Sequence, residues 1–327
     1  MMKLITLIMG LSALTSSSLG CGDASSSSGQ AQDSSSAAEA AVADAIVGDA
    51  APDATAPGPD AAATDGAETE MLTVLDFNLF HDFPSFSNIE QRTRMVADVI
   101  NSIQPDFVTL QEAGQSPMLQ NRAQVLAGMT GYRWAWQRAS GTPTVFEEGP
   151  AILSKWPLEW SAGQMLPHDQ FFGLAGRAVV GVRAQTPYGP IQVFSTHLTT
   201  QSDPTIVNDQ AEAAYRFMTD QPTDMPEFLG GDMNSNPDET AMRFLRGEVS
   251  LNGVTSTLHD AWMSAEPSLP GLTDPSNSPR HRIDYLYFAP GQARVASAAD
   301  CQLMFTQPVG GVYASDHLGV LCHFVLR

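Results

Sequence analysis

Lysine is almost missing from this sequence. Only Lys3 and Lys155 occur in 327 residues, and acidic side chains outnumber basic ones 36 to 16. A formal charge of −20 leaves no broad basic face for non-specific nucleic-acid binding. It does not exclude a phosphate substrate held by a metal. Cysteine is scarce too. Cys21, Cys301 and Cys322 cannot build a disulfide scaffold or a multi-cysteine zinc site. No serine or cysteine lies in a nucleophile motif, and the three-histidine pattern of a zinc hydrolase is absent. No heptad or internal repeat is visible, so a monomer without an obligate protein partner is expected.

What is present divides the chain in three. Residues 1–20 carry one lysine, an apolar run from Leu4 to about Leu14, and then small polar residues. That is the pattern of a secretory signal, too short for a membrane-spanning helix. The Ser18-Leu19-Gly20-Cys21 junction resembles a bacterial lipoprotein cleavage site, with Cys21 as the lipidated residue. Ser18 stands where leucine is usual, so cleavage without lipidation is the rival reading. The expected location is the cell envelope, as an outer-membrane lipoprotein, or the exterior as a secreted protein.

Residues 21–70 are rich in Ala, Ser, Asp, Gly and Pro, with ten acids, no base and no aromatic ring. Ordering such a stretch costs about 1–2 kcal/mol per residue with little burial to offset it. A disordered acidic tether is expected. Residues 71–327 hold 26 acids and 15 bases, a net −11, so the folded part is itself acidic. Cys301 and Cys322 could pair in an oxidising compartment or remain buried thiols. Their positions in sequence do not decide.

From Met71 the pattern is that of a folded α/β domain. Leu72 to Asn78 reads as a largely buried strand, and Asn88 with Gln91 suggests a capping box. Met95, Val96, Val99, Ile100 and Ile103 recur at helical spacing before Pro105, and a strand follows at 106–111. A second helix is expected over 117–128. Strands are expected at 132–137, 150–154, 158–164, 176–185, 190–196, 227–230, 283–288 and 319–325, with helices near 206–219 and 238–247. That is more strand than a doubly wound fold needs. Two packed sheets with helices outside fit better.

Six segments set polar residues at the ends of apolar runs: Asp76-Phe77-Asn78, Leu110-Gln111-Glu112, Ser195-Thr196-His197, Gly231-Asp232-Met233-Asn234, Arg282-Ile283-Asp284-Tyr285 and Ser315-Asp316-His317. Strand ends are where a layered α/β domain builds a site. Glu112 is a hard oxygen donor suited to Mg²⁺ or Mn²⁺. Asp232 could orient or deprotonate water while Asn234 donates to a phosphoryl oxygen. Asp284 could fix the tautomer of His317 and favour its charged form. His259 and His281 read as surface residues.

In combination these motifs resemble those of the endonuclease/exonuclease/phosphatase superfamily, the DNase I-like group. Gly149 to Pro157 (GPAILSKWP) resembles its usual middle segment. The resemblance spans about 71–327 and implies a four-layer α/β/β/α sandwich acting on a phosphodiester or phosphomonoester. It implies that Glu112 binds an essential Mg²⁺ or Mn²⁺, with Asn78 and Asp316 close by. It implies that Asp232 and Asn234 handle water and phosphate, and that His317, oriented by Asp284, contacts the scissile phosphate. His197 becomes a candidate general acid and Arg177 a candidate phosphate-side arginine. Abasic-site enzymes carry an acid two positions after the first Asn; here that position is Phe80, which disfavours their activity. Nuclease-type phosphodiester hydrolysis is the leading expectation. Phosphomonoesterase or sphingomyelinase-like lipid hydrolysis is the alternative, and a non-catalytic surface binding module a further one. Substrates would be nucleic acid, phospholipid or inositol phosphate. A lipid enzyme should expose an apolar loop, for which Phe83, Phe86, Phe171 and Phe172 are candidates.

Overall fold

The computed structural model describes residues 46–49, 70–168, 175–222, 224–289 and 296–326. The signal segment, Cys21, most of the stretch read as a tether, and Phe171 and Phe172 lie outside the described residues.

Strands β1 (Ile46–Asp49) and β2 (Glu70–Asn78) precede helix α1 (Ile89–Ile103). Strand β3 (Phe107–Gln111) leads to α2 (Arg122–Thr130) and β4 (Arg133–Trp136). A small hairpin of β5 (Ser140–Thr142) and β6 (Phe146–Glu148) is followed by β7 (Ala151–Ser154), β8 (Leu158–Met165), β9 (Ala178–Thr186) and β10 (Gly189–His197). Helix α3 (Pro204–Thr219) crosses to β11 (Glu227–Asp232), before α4 (Thr240–Leu245), β12 (His259–Asp260) and α5 (Ala261–Ala265). The chain closes with β13 (Asp284–Ala289), β14 (Ala296–Met304) and β15 (Gly319–Leu326).

Seven strands make one sheet in the order β1-β4-β7-β3-β2-β15-β14, and six make another in the order β12-β13-β11-β10-β9-β8. Both are mixed: β2 runs parallel to β3, and β10 to β11, each pair joined through a helix, while the other pairings are antiparallel. Side-chain alternation builds three cores from these two sheets. Leu72, Val74, Phe107, Val180, Val193, Phe228, Leu286 and Phe324 fill the space between the sheets. Leu75, Phe77, Val108 and Leu110 face outward onto Val96 and Ile100 of α1 and Leu126 of α2. Phe194, Leu229, Tyr285 and Tyr287 face outward onto α3 and α4. The result is the expected four-layer α/β/β/α sandwich.

Local details differ from expectation. Asn88 sits in the left-handed region (φ 56°) and makes no side-chain cap, while Gln91 donates to the Val309 carbonyl, so no capping box forms. Helix α2 starts later than the apolar pattern suggested, because Ser116 and Leu119 close a turn and Asn121 caps the helix by accepting from Ala123 and Gln124. Strand β14 has no counterpart in the sequence reading. Cys301 and Cys322 face each other across β14 and β15 and are disulfide-bonded. Four residues of the stretch read as a tether form β1, which pairs antiparallel with β4. Among the described residues no helix is long and apolar enough to cross a membrane.

Candidate active site

The alternation that fills the inter-sheet core also places the polar residues. Asn78 has the parity of Leu72 and Val74, His197 that of Val193, Asp232 that of Phe228, and Asp284 that of Leu286. Each is therefore the last inward-facing position at one end of its strand. In register, His197 lies opposite Asp232, and Asp232 opposite Asp284. Glu112 follows β3 directly, and the loop carrying Asp316 and His317 leads into β15.

The Asn78 amide joins the two sheets. Its Nδ2 donates to Asp232 Oδ2 at 2.9 Å and approaches Glu112 Oε1 at 3.4 Å, while its oxygen accepts the Phe80 N–H. The geometry thus makes Asn78 a clamp between two carboxylates, with its nitrogen rather than its oxygen turned to them. His317 Nδ1 contacts both Asp284 oxygens, at 3.1 and 2.9 Å. Its Nε2 turns to Asp232 Oδ2 at 3.8 Å. His197 Nε2 approaches the same Oδ2 at 3.4 Å, and its Nδ1 has no partner among the described residues. Asn234 fixes Asp232 by donating its backbone N–H to Oδ1 at 3.0 Å, and its side chain donates to the Leu198 carbonyl. Arg177 is largely buried, 3.8 Å from Glu148. It acts electrostatically on both Glu112 and His197, so it belongs to the cleft rather than to a solvated strand end.

Electrostatics separate the groups. Burial, with Asp284 adding to it and His317 opposing, lifts the Asp232 carboxyl to about 7. Burial alone would lower His317, but Asp284 and Asp232 raise it well above the usual imidazole range. His197 goes the other way: burial first, then Arg177 and His317, hold it well below that range. The surroundings of His197 thus disfavour its charged form, whereas those of His317 favour it. Burial opposes ionisation of Glu112, yet His81, His317 and Arg177 bring it below the usual range. Asp316 is raised by burial and by nearby Glu112.

A divalent cation suits this set. Ligand atoms of Asp232, Asp284 and His317 lie within 4.8 Å of one another, but Asp284 and His317 already satisfy each other. Glu112, with Asp316 near enough to feel its charge, supplies the hard oxygens that Mg²⁺ or Mn²⁺ prefers. Backbone strain gathers here as well. Glu112 (φ 54°), Asn234 (φ 49°) and, in the loop after Asn78, Phe80 (φ 54°) and Asp82 (φ 47°) are all left-handed.

Three residues escaped the sequence reading. His81 donates its backbone N–H to Glu112 Oε2 at 2.9 Å and sets its Nε2 3.5 Å from the same oxygen. Asp274 Oδ1 lies 4.0 Å from His317 Nε2. Fully buried Arg122 donates to the Leu79 and Phe80 carbonyls and so shapes the loop after Asn78. Only the neighbourhood of His81 to Asn78 could have drawn notice. Arg122 and Asp274 belong to no polar strand-end motif. Phe80 lies under the Arg92 guanidinium, 4.6 Å from its ring centroid, where an abasic-site enzyme would offer an acid.

Two packed mixed sheets with this cleft of carboxylates, amides and imidazoles at one end define a DNase I-like phosphoesterase. The chain belongs to the endonuclease/exonuclease/phosphatase family, whose model matches residues 77–317. No curated protein matches it. Solved structures share the fold. A humanized TDP2 from D. rerio is 18% identical with a TM-score of 0.61, covering 78% of this chain and 98% of that one. An endonuclease/exonuclease/phosphatase from Beutenbergia cavernae is 20% identical with a TM-score of 0.59, covering 78% and 72%. A family protein from Leptotrichia buccalis is 18% identical with a TM-score of 0.61, covering 77% and 98%.

Proposed function

We propose that this protein is a divalent-metal-dependent phosphodiester hydrolase of the cell envelope. The observation that carries the reading is the pairing, 3.8 Å apart, of Asp232, whose carboxyl is lifted to about 7, with His317, whose charged form its carboxylate neighbours favour. Asp232 takes a proton from the attacking water, and its backbone contact with Asn234 aims it. His317, held by Asp284, donates from Nε2 to a phosphoryl oxygen as negative charge builds in the transition state. Arg177 adds positive charge on the same side, and His197 serves as a neutral donor. Glu112 and Asp316 would hold Mg²⁺ or Mn²⁺, with Asn78 fixing the Glu112 carboxylate. When bound, the metal would supply stabilisation of charge on the phosphate and the leaving oxygen.

Bis-p-nitrophenyl phosphate tests this directly. Hydrolysis should require Mg²⁺ or Mn²⁺ and stop in EDTA. Glu112→Gln, Asp232→Asn and His317→Ala should each lower the rate by at least about 100-fold with circular dichroism unchanged. Near wild-type rates in all three would overturn this assignment of the site, and no hydrolysis by the wild type itself would leave a binding module. Faster turnover of p-nitrophenyl phosphate than of the diester would favour a phosphomonoesterase. Export is part of the same proposal, supported by the Cys301–Cys322 disulfide, which suits an oxidising compartment. Palmitate labelling that disappears in Cys21→Ser would fix the anchor.

A further inference from the structure

Two arginines stand behind the loop that follows Asn78 with hydrogen-bond donors left over. Arg122, the first residue of α2, is only 1% exposed. Its Nη1 is spent on the Leu79 and Phe80 carbonyls, at 2.7 and 3.1 Å. Its Nε and Nη2 are buried and have no hydrogen-bond partner among the described residues. Those two nitrogens form one edge of the planar guanidinium, and their N–H bonds run parallel. Arg92, half-buried on α1, covers the Phe80 ring with its guanidinium, and its Nε too is buried without a partner among the described residues. Three donors thus stay unpaired on two cations that flank the same residue, Phe80. Leaving buried donors of a charged group unmet is costly.

The neighbouring acids are engaged elsewhere. Glu112, whose charge reaches Arg122, takes the His81 N–H on Oε2 and faces the Asn78 amide with Oε1. Asp82 accepts from the Ser87 N–H, and Glu90 pairs with Arg94 on the exposed side of α1. Burial, followed by the like charge of Arg92, brings the Arg122 guanidinium down to about 10, and Glu112 only partly offsets them. An anion between two buried, mutually repelling guanidiniums relieves both the repulsion and the unmet donors. The free edge of Arg122 also selects a shape. Two parallel N–H groups match two oxygens of one oxyanion better than they match a spherical halide. Arg92 Nε supplies a third donor from the more exposed side.

We propose that Arg92 and Arg122 form an oxyanion site behind the loop 79–82, separate from the cleft, with inorganic phosphate as its simplest ligand. An anion there braces the arginine that holds the Leu79 and Phe80 carbonyls, and so fixes the loop whose His81 N–H meets Glu112. The inference goes beyond the hydrolase reading, and its test needs no turnover. The full chain in EDTA is titrated with phosphate, or with sodium chloride at matched ionic strength, and its melting temperature is followed. Phosphate should raise that temperature along a saturating curve, and chloride should not. The same curve should appear in His317→Ala, which removes the phosphate contact proposed for the cleft. Arg92→Met should weaken the apparent phosphate affinity by at least about tenfold. Arg122→Lys, which keeps the charge without the two-pronged edge, should do the same. If Arg122→Lys does not fold, the half-buried Arg92 decides alone. No saturation, a curve lost in His317→Ala, or one unchanged in Arg92→Met would overturn the site. An equal response to chloride would overturn its oxyanion geometry.

Discussion

In the proposed mechanism Asp232 makes a general base out of a stability problem. Burial keeps its carboxyl protonated to about 7, whereas its ordinary value is 3.8. A carboxyl raised by folding stabilises the fold where it is protonated, and that contribution is lost as pH climbs from the ordinary value through the raised one. The metal-free protein should therefore weaken between about pH 4 and 7. Asp232→Asn should melt higher than wild type near pH 8 while its hydrolysis stays at least about 100-fold down. Glu227 gives a control away from the cleft. Burial lifts it from 4.5 to about 8 although Gln192 donates to it at 3.1 Å. Glu227→Gln should gain roughly 1–3 kcal/mol near pH 9, seen in thermal melts, and almost nothing near pH 5. The sequence displayed the residue types at this scale but not the burial that lifts Asp232 and Glu227. The motifs did suggest Asp284 favouring the charged form of His317, but not the burial that, with Arg177, pushes His197 the other way.

At the scale of elements, strand parity explains how much could be read in advance. The period of two in β2, β10, β11 and β13 already put Asn78, His197, Asp232 and Asp284 on core-facing positions, and the strands came out within a few residues of expectation. Features set by tertiary contacts did not. The start of α1 depends on the left-handed Asn88, the start of α2 on the turn closed by Ser116 and Leu119, and β14 on its partner β15. Gly230 shows how tightly the sheets mesh below the cleft. A Cβ there would lie 2.1 Å from Thr109 Oγ1 and 2.7 Å from Asp76 Oδ1, two groups already bonded to each other at 2.7 Å. Gly230→Ala should cost about 1–3 kcal/mol by denaturant melts, and Thr109→Ser, which keeps the hydroxyl, should not rescue it.

The molecule as a whole depends on what holds its outer strands. The disulfide spans 21 positions and fastens β14, an edge strand, to β15. Its loss in Cys301→Ala combined with Cys322→Ala should lower stability by roughly 3 kcal/mol, measured by denaturant titration of the oxidised parent and the variant. The opposite edge is guarded differently. Composition made residues 21–70 look like nothing but a leash, because four residues without aromatic anchors give no periodic signal, yet β1 comes from that stretch and covers β4. A protein trimmed to begin at residue 50 would thus leave the backbone donors and acceptors of β4 open to any passing strand. Such a shortened enzyme should self-associate with rising concentration in light scattering, so a catalytic fragment chosen from domain boundaries alone would be prone to aggregate.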